Sequence, residues 1–193
     1  MMVAETNMDF PQIFAAGLSY QDYLAEFGTA EHQRRWGEVA AQVALTASQR
    51  SLLSGFQREM HVICVAGAWC GDCVNQCPIF LQFEKASSRI QVRYVDRDNE
   101  QVLSEPLLLC GGARVPQVVF LSEDNEFVGR YGDRTLAKYR QMASQQLGPT
   151  CPSGLVPPPE DLLAAVVQDW LNEFERIQLL LRTSPRLRER HGD

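Results

Sequence analysis

At 193 residues, 45% of them hydrophobic, the chain can bury one good core and is short for two full-sized domains. Its net charge is -6, and its basic residues are scattered except near the C-terminus, which argues against a nucleic-acid surface. No apolar run approaches the length needed to cross a bilayer, and residues 1–10 hold Glu5 and Asp9 with neither a basic segment nor an apolar core, unlike a secretory signal.

Residues 1–59 read as a helical extension. Ser19-Tyr20-Gln21-Asp22 has the form of a capping box ahead of Tyr23, Leu24 and Phe27, with Gly28 as a stop. Thr29 is placed to cap a second helix carrying Trp36, Val39, Ala40 and Val43, and Thr46-Ala47-Ser48-Gln49 a third carrying Leu52, Leu53 and Phe56. Two readings stand for these three helices: a docking surface, or a cover for one side or edge of a sheet.

From His61 to Ala66 a short apolar run rich in β-branched residues reads as a buried strand; it breaks at Gly67 and ends in Trp69-Cys70-Gly71-Asp72-Cys73. Val74, Cys77, Phe80, Leu81 and Phe83 then recur at mostly three- and four-residue steps, which predicts a helix from about Cys70. Residues 90–95 alternate as a strand does, and a right-handed crossover sets it parallel to the first. Residues 100–110 can form a further helix limited by Pro106, followed by Gly111-Gly112 and the Val115-Pro116 loop. Residues 117–121 and 127–131, joined by Glu123-Asp124-Asn125, predict an antiparallel hairpin, with Asp133 capping a helix over 135–147.

Residues 148–159 hold five prolines and two glycines and read as a connector. In residues 160–193, Leu163, Val167, Trp170, Phe174, Ile177 and Leu181 step by fours and threes, a long amphipathic helix with Glu160 and Asp161 in its first turn. Its stripe packs on its own domain or forms a homodimer seam. Arg186, Arg188, Arg190 and His191 end the chain as a basic tail expected to be solvated.

The chemistry follows from where the two thiols fall. Cys70 at a helix N-terminus faces unpaired amides and the positive end of the helix dipole, which favour a thiolate, and Cys73 lies close enough to close a disulfide ring. Cys70 is therefore the candidate nucleophile and Cys73 the resolving thiol in reduction of a disulfide substrate, with no metal or organic cofactor required. Six cysteines without a secretion signal lead us to expect a reducing cytoplasm, where such a pair does redox work or binds metal. Cys77 extends the set to three thiols on one helix, which leaves a metal site of Cys70, Cys73 and Cys77 as an alternative, although no second Cys or His pair at short spacing accompanies it. A non-catalytic interaction module is the other alternative.

Trp69-Cys70-Gly71-x-Cys73 after an apolar strand resembles the active-site segment of the thioredoxin superfamily. Pro78 falls where thioredoxins carry a helix-bending proline, and Val115-Pro116 before a strand resembles their cis-proline loop. The resemblance covers about residues 60–147. Residues 96–100, 111–116 and 129–134 look most like a bacterial group of thioredoxin-like proteins of poorly defined role.

This resemblance implies an α/β thioredoxin-like fold, a central mixed sheet flanked by helices, with helical N- and C-terminal extensions. It also implies redox-active Cys70 and Cys73 and a substrate site at Trp69, Gly71, Val115 and Pro116. Val115 is expected to pair with substrate as a short antiparallel strand, and Trp69 to supply a flat apolar wall or else to pack in the core. The implied partners are a disulfide-containing protein or small molecule as substrate, and a reductase or small thiol as electron donor.

Two departures stand out. Cys64 occupies the position six before the nucleophile where thioredoxins keep a buried acid, and Asp72 replaces their usual proline. A carboxylate beside Cys70 disfavours its thiolate, so lower reactivity towards general protein disulfides is expected. Cys64 reads as inert; Cys110, ahead of the Gly-Gly loop, could approach the site but nothing in the sequence establishes it; Cys151, in the connector, is the candidate for an extra reactive thiol; His32, His61 and His191 show no paired spacing and receive no role.

Overall fold

All seven residues of the strand Met60–Ala66 are buried, and the other strands are laid out around it. In the computed structural model, which describes residues 8–98, 107–147 and 160–193, this strand is β1. Parallel to it runs β2 (Ile90–Asp96); on its other side β3 (Gln117–Ser122) is antiparallel, and β4 (Phe127–Gly132) pairs antiparallel with β3. The order is β2-β1-β3-β4, a mixed sheet with helices on it: α1 (Phe10–Ala16), α2 (Tyr20–Phe27), α3 (Ala30–Gln42), α4 (Ala47–Ser54), α5 (Gly71–Ala86), α6 (Leu136–Gln146), α7 (Leu162–Thr183) and α8 (Pro185–His191).

Register assigns the two faces. Val62 is opposite both Val92 and Phe120, and Cys64 opposite both Tyr94 and Val118, so these residues share one face. That face receives α5 and α7: the Tyr94 hydroxyl donates to the carbonyl of Cys77 at 3.1 Å, and Phe120 meets the ring of Phe174 edge-on at 5.1 Å. The opposite face carries His61, which stacks on Phe14 of α1 at 4.3 Å. Helix α1 is an element that periodicity did not reveal; Asp9 accepts the amide of Gln12 at 3.0 Å, and Pro11 lies in the first turn, where an amide hydrogen has no partner to lose.

The other N-terminal helices begin where their capping residues predict. Thr29 and His32, and likewise Thr46 and Gln49, exchange side-chain to main-chain hydrogen bonds, closing two full capping boxes, each cap contributing about 1 kcal/mol. At Ser19 the box is altered: its hydroxyl accepts the amide of Asp22 at 3.2 Å and donates to the Asp22 carboxylate at 2.6 Å. Leu18 exchanges main-chain hydrogen bonds with Tyr94 at 2.9 and 2.8 Å, so the segment covers the exposed edge of β2, the second of the two readings. Tyr20, Tyr23 and Trp36 close round Tyr94 at ring separations of 5.8, 5.7 and 6.5 Å.

The stripe of α7 lies on its own sheet. Trp170, Phe174, Ile177 and Leu181 are fully buried, with Trp170 edge-on to Phe80 at 4.7 Å and to Tyr131 at 5.0 Å. The basic end of the chain is not simply solvated. It forms α8, whose Arg186 and Arg190 reach Asp124 at 3.1 and 3.0 Å and whose His191 reaches Glu123 at 2.8 Å, docking it on the β3–β4 turn. The Arg186 guanidinium holds the Asp124 carboxyl well below the usual carboxylate range.

Two further expectations change. Asp133 does not cap α6; Thr135 occupies that position, and Asp133 is buried beside the Cys70 turn. The helix expected over 100–110 falls largely outside the described residues. Its end is a tight turn, in which Leu109 and Gly112 exchange two main-chain bonds of 3.0 Å round Cys110 and Gly111, at φ 48° and 72°. The connector 148–159, with Cys151, also lies outside the described residues.

Because Phe174 touches both α5 and β3, Phe174→Ala should cost about 3–5 kcal/mol of stability, read as a lowered urea midpoint.

Candidate active site

A four-residue turn carries the chain from β1 into α5. The amide of Cys70 donates to the carbonyl of Gly67 at 2.9 Å, and the indole N–H of Trp36 donates to the buried carbonyl of Ala68, also at 2.9 Å. Helix α3 thus pins the turn from outside. A side chain at Gly67 has no room, since a Cβ there would lie 2.9 Å from the ring of Trp69. At Gly71 a Cβ would meet nothing within 4 Å, so this glycine leaves the approach to Cys70 open.

Cys70 is the N-cap residue of α5, with extended backbone at φ -75° and ψ 125°, and its thiol is part-exposed. Cys73, in the first turn, is fully buried below it. Facing the pair is the loop before β3: the Cys70 thiol points at the carbonyl of Val115 at 3.7 Å, and the Val115–Pro116 peptide is cis. Gly132, at φ 141°, backs that loop so closely that a Cβ would stand 2.4 Å from the carbonyl oxygen of Pro116. Trp69, 49% exposed, is surface rather than core, and the guanidinium of Arg97 lies 4.6 Å from its ring centroid.

The two sulfurs are in hydrogen-bonding contact, and the donors around them set their acidities apart. Burial opposes charge on Cys73, but the thiols of Cys70 and Cys77 and the amide of Gly67, the last at 3.4 Å, all point at its sulfur and hold it below the ordinary thiol value. Cys70, which gives its proton to that bond and is partly buried, is pushed up, while the amides of Cys73 and Asp72 pull the other way. The amides at the helix N-terminus pull Cys70 down, but the bond to Cys73 and burial outweigh them, so Cys73 rather than the expected Cys70 is the more acidic thiol.

Cys77 reaches Cys70 only through Cys73. Its sulfur lies 3.7 Å from that of Cys64, both fully buried, and burial followed by the contacts to Cys64 and Cys73 pushes the Cys77 thiol up. Cys64 is therefore less isolated than its place in a strand suggested. Among the described residues, no group of three or more His, Cys, Asp or Glu side chains is arranged to hold a metal ion. Cys110 is exposed and does not line the hollow beside Cys70.

Asp72 is not the unopposed carboxylate that its position implied. Arg134 holds it at 2.5 Å and holds Asp133 at 2.7 Å, and Asp133, 1% exposed, also accepts the hydroxyl of Tyr139. Burial works against the charge on Arg134, but the bond to Asp72 raises it further above its usual range. Behind Asp72 the buried amide of Gln76 donates to the carbonyls of Asp133 at 3.0 Å and Asp72 at 3.2 Å, and accepts the indole N–H of Trp170 at 3.0 Å.

Trp69, Cys70 and Val115 line one hollow of about 360 Å³, with Cys73 beneath. Sequence reasoning missed its charged lining of Arg97, Arg114, Asp133 and Arg134, and missed Gln76. A signal existed for part of it, since Arg114 directly precedes the Val115-Pro116 loop and Arg134 follows Gly132-Asp133.

A mixed four-stranded sheet, a thiol at the N-terminus of the helix after its central strand, and a cis X-Pro loop facing that thiol together place the molecule in the thioredoxin-like class. Sequence comparison is more particular: the model of the thioredoxin family Thioredoxin_9 matches residues 17–145, and the chain belongs to that family. The match takes in α2–α4, which the resemblance read from motifs left outside the core. A crystal structure of a protein of unknown function, PA1234 from Pseudomonas aeruginosa, is similar at a TM-score of 0.66 and 16% identity, over 87% of this chain and 95% of that one. The crystal structure of an HIV epitope-scaffold, 4E10_S0, is similar at a TM-score of 0.65 and 16% identity, over 87% of this chain and 96% of that one. At such identity the likeness bears on the fold alone. No curated protein matches.

Because the bond to Cys73 and burial push the Cys70 thiol up, its alkylation by iodoacetamide should rise with pH through a midpoint above that of an ordinary thiol, about 8.5. Arg134→Gln leaves Asp72 without its partner beside the pair and should move that midpoint to higher pH; an unmoved midpoint would show that the ion pair does not govern the thiols. Gly132→Ala should displace Pro116 and cost about 1–3 kcal/mol, measured by denaturant unfolding.

Proposed function

We propose that the protein is a thiol-disulfide oxidoreductase that reduces disulfides through Cys70 and Cys73. The observation that carries this reading is the stacking of the two thiols in depth: one sulfur is reachable from the hollow and the other is fully buried directly behind it, within hydrogen-bonding contact. Cys70 attacks one sulfur of the substrate disulfide, forming a mixed disulfide and releasing a thiolate. Cys73 then attacks the Cys70 sulfur, expelling the second substrate thiolate and leaving the Cys70–Cys73 disulfide. The substrate has gained two electrons, and its two released thiolates take up the protons that the pair gives up or, where the pair is already ionised, protons from water.

Val115 offers main-chain hydrogen bonds to the substrate segment beside Cys70, and Trp69 offers a flat apolar wall. In a reducing cytoplasm, the location we infer, the reaction runs towards substrate reduction, with a reductase or a small thiol returning electrons to the pair.

The test is turnover of a disulfide with a thiol donor, together with the reduction potential of the pair. Cys70→Ser should lower turnover by more than about a hundredfold, and Cys73→Ser should accumulate a mixed disulfide on Cys70, visible by mass spectrometry. Turnover that survives Cys70→Ser would exclude this mechanism.

A further inference from the structure

Three guanidinium groups line the hollow beside Cys70, in a chain whose net charge is -6. Their occupations differ. Arg134 is committed to Asp72 and Asp133 and is only 20% exposed at its side chain. Arg114 is 46% exposed, and its nearest carboxylate is that of Asp133 at 3.9 Å, which already receives Arg134 and Tyr139. Arg97 lies over the face of Trp69, and its carboxylate partner Asp98, at 3.0 Å and 69% exposed, is outside the lining of the hollow. Against the three arginines the lining holds, among the described residues, two carboxylates, Asp72 and Asp133, and although Nε and one Nη of Arg97 already donate to Asp98, Arg97 and Arg114 both keep unspent N–H donors.

A guanidinium fork recognises a planar carboxylate by two parallel hydrogen bonds, and holding Arg97 flat on an indole fixes its orientation beforehand. A hollow of about 360 Å³ is the size of a small-molecule pocket, with room for a compact ligand. We propose that the disulfide received at Cys70 is a small one bearing carboxylates, which Arg114 and Arg97 bind while Trp69 supports its apolar part. This inference rests on the redox reading of Cys70 and Cys73 and specifies its substrate class. Attack by Cys70 gives a protein–substrate mixed disulfide and one carboxylate-bearing thiol; resolution by Cys73 gives the second such thiol and the oxidised pair.

The full chain, reduced and freed of reductant, is mixed with 3,3′-dithiodipropionate, which carries two carboxylates, or with bis(2-hydroxyethyl) disulfide, its neutral counterpart. Oxidation of the pair is followed by the change in tryptophan fluorescence, and each rate constant is divided by that of the same disulfide with dithiothreitol. The corrected anionic-to-neutral ratio should be about ten or more at low salt and fall as salt is added. Arg114→Gln should lower that ratio several-fold, and Arg114→Glu should bring it below one. A wild-type ratio at or below one, or a ratio that Arg114→Glu leaves unchanged, overturns the substrate class while the redox reading stands. Insulin reduced faster per disulfide than dithiodipropionate overturns it in favour of a protein substrate. Failure of both small disulfides and of insulin to oxidise the pair sinks the redox reading itself, and this inference with it.

Discussion

Two buried side-chain hydrogen bonds, Trp36 to Ala68 and Gln76 to Asp133, hold the turn and the loop that frame Cys70. Each satisfies a carbonyl that the fold has removed from water, and an orphaned group of that kind costs about 1–3 kcal/mol. The first donor comes from α3. The second is itself held by Trp170 of α7, so helices from both ends of the chain reach the site. What reads in the sequence as decoration at either end is, in the fold, the frame of the β1–α5 turn. That the family match begins at residue 17 agrees with this for the N-terminal helices.

On that frame, electrostatics is arranged in pairs. Three donors converge on the Cys73 sulfur and favour negative charge there, and the carboxylate beside it at Asp72 is met by Arg134. Substitution of an acid near a reactive thiol, taken alone, argues for a weaker thiolate. With the arginine supplied by the loop after β4, the argument loses most of its force, because a nearby opposite charge offsets the like one. Cys64 is a different departure. A thiol in van der Waals contact with Cys77 fills the position of a buried acid, so it supplies packing and a weak S–H contact where a carboxylate would supply a proton acceptor.

Much of the architecture was legible locally. Ser19, Thr29 and Thr46 mark three helix starts, alternation marks β2, Asp124 and Asn125 the hairpin turn, and the four-and-three steps from Val167 to Leu181 the face that α7 buries. Helix α1 was not legible, since seven residues are too few to show a period. Asp133 was misplaced because an aspartate two residues before a helix fits a cap in sequence, whereas burial against Arg134 and Tyr139 decides its role. The docked basic tail escaped for the same reason, its partners Glu123 and Asp124 lying more than sixty residues away.

By itself the sequence determined the strand, turn and helix that bring Cys70 and Cys73 together, because hydrophobic period, capping residues and the spacing of two cysteines act within a few residues. Tertiary structure alone decided that Cys73 lies under Cys70 with Gly67 and Cys77 aimed at it, that Cys64 meets Cys77, and that Arg97, Arg114 and Arg134 rim the same hollow. Those meetings depend on how separate elements close over one another, and a charged side chain leaves no periodic trace of the partner it will find.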